Sequence, residues 1–285
     1  MLALVTILAT WGVYALLGCG IVLIYRTSRV LNIAQGELAI MLAYCLATAI
    51  RSQLPLYLAL PASLAAGAAA GIIVYWICLR RVMGEPPFVG LMVTVGLAIA
   101  VHGIMIIFFG GRFMTIDLFV AGSMQLGGTS VSKTDVFVLV GSWLSVGLVF
   151  LTYRLTKLGL LMRSVAENVT LSAQRGVNVD RIVGLSWVIA IMAAGAAGSF
   201  HGVRAVIALA TAIIGIKALI ACLIGGMDSM RGVLIGAFLV AGSEFVASRY
   251  FETRYALLAP IVLLLIVLAF RPWGLFGTAE EIRRV

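Results

Sequence analysis

The first twenty-five residues of this chain contain no Asp, Glu, Lys or Arg, and comparable apolar stretches recur almost to its end. A helix needs ~20 mainly apolar residues to cross the hydrocarbon core of a bilayer. Within that core only helices and closed barrels satisfy every backbone polar group. Nine stretches have the required composition: Leu2–Ile24, Leu31–Ile50, Leu56–Leu79, Phe88–Phe109, Val136–Tyr153, Ile182–Phe200, Val206–Ile224, Val233–Ala247 and Ala256–Phe270. The first six and the last are regular. The seventh and eighth are flanked by glycine and are expected to be broken or partly re-entrant, so the count lies between eight and ten. The chain is expected to be all-α, a polytopic transmembrane bundle forming one domain over residues 1–285.

Composition excludes the soluble alternative. Only 11% of the 285 residues are charged and 63% are hydrophobic, against about 25% and 45–50% in soluble domains. The net charge of +9 does not indicate nucleic acid, because the basic residues are spread between apolar runs instead of forming one face. Leu2–Ile24 has no basic residue ahead of it and exceeds a signal-peptide core, so it reads as a retained membrane helix. Cys19, Cys45, Cys78 and Cys222 fall in or beside apolar runs without ligand or disulfide spacing.

Lys and Arg also give an orientation, since cytoplasmic loops carry the excess. With the Arg154–Arg181 loop inside, alternation places Arg26, Arg29, Arg80, Arg81, Arg154, Lys157, Arg163, Arg175, Arg181, Arg231, Arg271, Arg283 and Arg284 in the cytoplasm. Arg51, Arg112, Lys133, Arg204, Arg249 and Arg254 fall on the other side. The N-terminus is then outside and the C-terminus inside.

The Arg154–Arg181 loop is the most soluble-looking stretch. Ser164 and Glu167 have the spacing of a capping box, Gly176 suits a left-handed helix end, and Asn178 or Asp180 can open the next helix, with Asp180 the expected cap. A short helix over Ser164–Gly176 follows. Its apolar edge would be Leu161, Val165, Val169 and Ala173, with Arg163, Glu167, Gln174 and Arg175 free for a partner. The pattern fits equally a helix resting on its own bundle and one that docks into another subunit.

Ionisable residues inside apolar runs are expensive and usually line a path or pair internally. Glu37, within Asn32-Ile-Ala-Gln35-Gly36-Glu37, and Lys217 are read as candidates for a translocation path; Asp228 and Glu244 lean towards structural pairing. His102 and His201 lack ligand-spaced partners, and no metal or cofactor site is expected. Gly127-Gly-Thr-Ser-Val-Ser-Lys133-Thr134 approaches a phosphate-binding loop, but Ser132 stands where the second glycine is required. With no Ser/His/Asp set or paired carboxylates, no enzymatic activity is expected.

Four stretches together resemble one family. Leu31-Asn-Ile-Ala-Gln-Gly-Glu-Leu-Ala-Ile-Met-Leu-Ala-Tyr44 resembles the N-x-A-x-G-E segment of permease subunits from branched-chain amino acid ABC importers, with Gln35 where many members carry His. Ala166-Glu-Asn-Val-Thr-Leu-Ser-Ala-Gln-Arg-Gly-Val-Asn178 is similar to their ATPase-contacting loop. Gly215-Ile-Lys-Ala218 with Gly225-Gly226, Gly232, Gly236 and Glu244, and then Arg271-Pro-Trp-Gly-Leu-Phe-Gly277, follow in the family's order.

The resemblance implies a substrate path at Asn32, Gln35, Gly36, Glu37 and Lys217. It implies coupling to ATP-binding cassette ATPase subunits through Arg163, Ser164, Glu167, Asn168, Arg175, Gly176 and Asn178. It further implies a second permease subunit (a homologue or a second copy), a periplasmic or extracellular solute-binding protein, and residence in a bacterial or archaeal cytoplasmic membrane. Urea or short amides as substrates, an ion-coupled transporter working alone, and a structural or scaffolding membrane subunit are the alternatives at this point.

Overall fold

The computed structural model describes residues 2–117, 122–126, 129–251 and 253–278. Among the described residues six helices are long and apolar enough to cross a membrane: α1 (Leu2–Ser28), α3 (Leu56–Ile73, continued by a π turn over Val74–Leu79), α4 (Pro87–Phe109), α5 (Lys133–Leu155), α8 (Val179–Arg204) and α10 (Met230–Tyr250). Helices α2 (Gln35–Arg51), α9 (Ile214–Gly225) and α11 (Leu258–Phe270) are shorter, and α6 (Lys157–Glu167) and α7 (Val169–Gln174) occupy the Arg154–Arg181 loop.

The ends of these helices follow local chemistry. Pro87 stands in the first turn of α4, where its missing N–H costs nothing, and Gly110 ends that helix at φ +62°. Asn32 makes an Asx turn, its Oδ1 accepting from Ala34 N at 3.1 Å. That turn delays α2 to Gln35, four residues beyond the start of the apolar run.

The chain is not wholly α-helical. The antiparallel strands β1 (Ser123–Leu126) and β2 (Thr129–Ser132) form a hairpin that runs straight into α5. Lys133 of the phosphate-loop-like stretch is therefore the first residue of α5, while residues 127–128 lie outside the described residues.

α1 and α8 form the axis of the bundle. Their apolar windows are 78% and 72% buried, against 17% for α4. α1 packs on α5, α8, α9 and α10, and α8 packs on α1, α2, α3 and α5. Small residues permit this density: a Cβ at Gly198 would collide with the backbone of Ala39 on α2. The seventh apolar stretch is broken, as expected. Ile207 is extended and exchanges backbone hydrogen bonds with Met114 at 2.7 and 3.1 Å. A 3₁₀ turn over Leu209–Ile213 follows, where the Thr211 hydroxyl accepts from Ala208 N at 3.1 Å and competes with helical pairing. The eighth stretch is one regular helix, α10, which corrects the expected break. Glycines at its edge serve packing instead: a Cβ on Gly225 of α9 would meet the backbone of Gly232 on α10.

Both α2 and α9 begin deep in the bundle. Gln35 reaches Ala190, near the middle of α8, and Gly36 lies against Gly215 at the start of α9. The chain between Arg29 and Ala34 therefore turns back inward after α1. At the far end of α9, the Arg271–Gly277 stretch folds under the bundle, with Leu275 N donating to Ile224 O at 2.8 Å and Phe276 N to Gly225 O at 3.0 Å.

Candidate functional site

Basic residues gather at the end of the bundle that carries α6 and α7. Arg26 of α1 and Arg163 of α6 both stand 5.6 Å from the ring centre of Tyr153 on α5, and Arg80 pairs with Asp180 of α8 at 3.2 Å. Thr10, Asp135 and Arg204 meet at the opposite end, with Arg204 bonded to Asp135 at 2.7 Å and to Thr10 at 2.8 Å.

At the start of α2, three of the expected path residues are committed to packing. Asn32 Nδ2 donates to Gln35 Oε1 at 2.7 Å, and Gln35 Nε2 donates to the Ala190 carbonyl at 2.9 Å. Both side chains are 1% exposed. Gly36 makes the closest approach in this region, because a Cβ there would stand 2.8 Å from the Cα of Gly215 and closer still to the Ala212 carbonyl.

Glu37 differs. It turns away from the axis and meets His102 of α4 at 3.2 Å. Along α2 the incompletely buried positions between Gln35 and Leu46 are Glu37, Met41 and Cys45, with exposed Thr48 one turn further on. This one-sided stripe at helical spacing gives the bundle a partly polar outer face.

Lys217 lies elsewhere, in a cavity of about 460 Å³ at the end opposite α6 and α7, lined also by Tyr14, Asp135, His201, Arg204 and Glu244. It forms an ion pair with Glu244, whose other carboxylate oxygen accepts from Tyr14 Oη at 2.6 Å. Lys217 is two residues from Gly215, against which Gly36 packs, but its side chain turns to Glu244 and this cavity instead of to Asn32, Gln35 or Glu37. His102, Tyr14, Asp135 and Arg204 were not among the expected site residues. Opposed charges at the same depth in different runs were the available signal, but it names no specific pairing.

The loop helices form differently from expectation. Ser164 is inside α6 and is not a cap; Thr156 caps that helix, accepting from Gly159 N at 3.1 Å. The single Ser164–Gly176 helix is split at Asn168, whose extended backbone and Oδ1, accepting from Leu171 N at 2.8 Å, start α7. Ser164 Oγ and Ser172 Oγ, 3.0 Å apart, tie the two pieces together. Gly176 has the left-handed conformation expected of it, at φ +82°.

Asn178, not Asp180, caps α8, accepting from Arg181 N at 3.1 Å; Asp180 is held by Tyr75 Oη at 2.6 Å and by Arg80. The apolar edge is also revised. Met162 and Val165 are buried and Leu161 partly so, but Val169 and Ala173 are exposed beside Glu167, Asn168, Leu171, Gln174, Arg175 and Gly176. Arg163 turns inward, donating to the carbonyls of Tyr153 and Arg154.

Asn168→Ala is expected to cost about 1 kcal/mol locally by removing the cap of α7, and Asn168→Gly only a few tenths. Hydrogen exchange at the Leu171 amide, whose cap partner is lost, reads the difference.

The chain's kinship agrees with this architecture. The family model described as branched-chain amino acid transport system / permease component matches residues 3–268. A probable branched-chain amino acid transport permease protein LivH of Methanocaldococcus jannaschii is 29% identical, the match covering 92% of this chain and 88% of that protein. The high-affinity branched-chain amino acid transport system permease proteins LivH of Salmonella typhimurium and BraD of Pseudomonas aeruginosa are each 26% identical, covering 94% and 97% of this chain and 92% and 95% of theirs. Among solved structures, PsaBC from Streptococcus pneumoniae in complex with Fab shares the fold, with a TM-score of 0.51 at 14% identity over 94% of this chain and 90% of that one. A multi-pass helical bundle matched along nearly its whole length by one family model, this chain belongs to the permease components of branched-chain amino acid transport systems.

Proposed function

We propose that the chain is the membrane-spanning subunit of an ATP-driven ABC importer that moves branched-chain or related amino acids across a bacterial or archaeal cytoplasmic membrane. Family membership supports the transport role. The observation that carries the coupling half of the reading is the α6–α7 unit. It is anchored to the bundle through Met162 and Val165 and by Arg163, yet it presents Glu167, Asn168, Leu171, Arg175 and Gly176 to the surroundings. Ser164 and Asn178 hold the two ends of that surface. A fixed knob of this kind suits an ATPase subunit.

In this reading the α6–α7 end is cytoplasmic, the N-terminus is outside and the C-terminus inside. α2, α9 and α11 add three partial or short crossings to the six long ones. Asn32, Gln35 and Gly36 set the start of α2 in mid-bundle so that Glu37 faces out on its stripe. A second permease subunit, homologous or identical, covers that stripe and completes the path. Lys217 lies in a vestibule on the outer side, where a solute-binding protein delivers the substrate. Closure of the ATPase pair moves α6–α7 and shifts the bundle between two states, which requires only that the ATPases bind those states with different affinity.

Glu167→Lys or Gly176→Val is expected to leave membrane insertion intact and abolish ATP-dependent uptake. Valine is strained at φ +82° although open space surrounds it, and lysine reverses the charge on the exposed knob. Uptake into proteoliposomes containing the assembled importer tests this. Unchanged uptake in both variants would remove α6–α7 from the coupling path.

A further inference from the structure

A second cavity, of about 560 Å³, opens at the α6–α7 end between α1, α5, α6 and the start of α10. Arg26, Arg154, Arg163 and Arg231 line it together with a single carboxylate, Asp228, which is already held by the backbone N–H and hydroxyl of Thr278. Among the described residues none of the four arginines forms an ion pair with a carboxylate. Arg26 and Arg163 instead share the ring of Tyr153. Four like charges facing one space repel each other unless an anion stands between them.

The start of the 21-residue helix α10 adds its free N–H groups and positive dipole end at Met230 and Arg231. Beside Tyr153, Ser229 and Thr278, the lining includes the apolar side chains of Phe150, Met230 and Phe276. Helix α5 also carries an exposed apolar column, Leu144, Leu148, Leu151 and Leu155, whose last member adjoins Arg154 in the chain.

We infer that this cavity binds the phosphate group of an anionic phospholipid, with the arginines on the headgroup and an acyl chain along α5. Basic pockets between membrane helices at headgroup level hold such lipids. An aromatic ring at that level, here Tyr153, is also favoured. The apolar column selects a lipid over an acidic protein segment, which would need a polar continuation of the cavity. The inference requires that the bundle cross a membrane, and it is independent of what the bundle transports.

Native mass spectrometry of the full chain in detergent, offered phosphatidylglycerol or phosphatidylcholine, tests it. The wild type is expected to retain phosphatidylglycerol preferentially. Arg26→Gln/Arg231→Gln should lower that preference roughly 30-fold, two cationic contacts being lost. If the double variant does not fold, the exposed Arg231→Gln alone should lower it about fivefold. Equal retention of the two lipids, or a preference unchanged in the variants, would overturn the inference. So would arginine-dependent stabilisation by inorganic phosphate without any lipid preference, or arginine-dependent capture of an ATPase subunit without one. Since no transport is measured, a negative result here leaves the importer reading intact.

Discussion

Replacing Lys217 with methionine is expected to destabilise the bundle by up to about 3 kcal/mol, the low end of the usual cost of stranding one member of a buried ion pair, because the Lys217 and Glu244 side chains keep 12% and 22% exposure. Methionine keeps most of the length and apolar character of the lysine stem, so the loss is electrostatic more than steric. Glu244 would retain only the neutral Tyr14 hydroxyl, at 2.6 Å, and the nearby Arg204 is already bound to Asp135 and Thr10. Lys217→Met/Glu244→Gln should recover most of the loss, because an amide carries no charge to compensate and still accepts from Tyr14. Unfolding midpoints of the single and double variants in detergent separate these cases. Equal destabilisation of the two would mean that Lys217 acts through packing and not through its charge. Any uptake defect that persists in a fully stable double variant then belongs to the proposed vestibule and not to folding.

The two kinds of expectation about this chain had different fates, and the reason is physical. Long apolar runs specify helices almost by themselves, because the backbone in lipid has no other way to satisfy its polar groups. α1, α3, α4, α5 and α8 accordingly begin and end within a few residues of the apolar runs. Where side chains compete locally for the backbone, the sequence offered several solutions. Ser164 has the spacing of a cap although Asn168 takes that role for α7, and both Asn178 and Asp180 can open the next helix. The outcome depended on neighbours: Asp180 is drawn to Tyr75 and Arg80, leaving Asn178 to cap α8.

The pairings of the interior were not legible, because they join residues far apart in the chain. Glu37 with His102 and Tyr14 with Glu244 are set by how helices cross, not by spacing. The inward start of α2 was equally hidden. Leu31–Ala34 is as apolar as the helix that follows, and only the Asn32 turn and the Gln35–Ala190 bond place it.

That inward start yields the second large effect. Gly36→Ala is expected to cost about 3 kcal/mol, at the upper end of the usual range for overpacking. The added methyl would meet the Gly215 backbone and the Ala212 carbonyl, and no rotamer change can relieve a contact with backbone. Gly96→Ala is the internal control. It lies in α4, with nothing within 4 Å of the added Cβ, and it should be neutral or slightly stabilising, since alanine is favoured over glycine in a helix by about 1 kcal/mol. Gly36→Ala/Gly215→Ala should cost less than the sum of the two single changes, because both push apart the same crossing. Unfolding midpoints of the four variants decide this part.

Uptake decides the rest. If the α2–α9 crossing sets the depth of Glu37, Gly36→Ala should lose uptake at temperatures where the variant is still folded, while Gly96→Ala transports normally. A folded Gly36→Ala chain with full uptake would show that the crossing serves stability alone and that Glu37 does not depend on it.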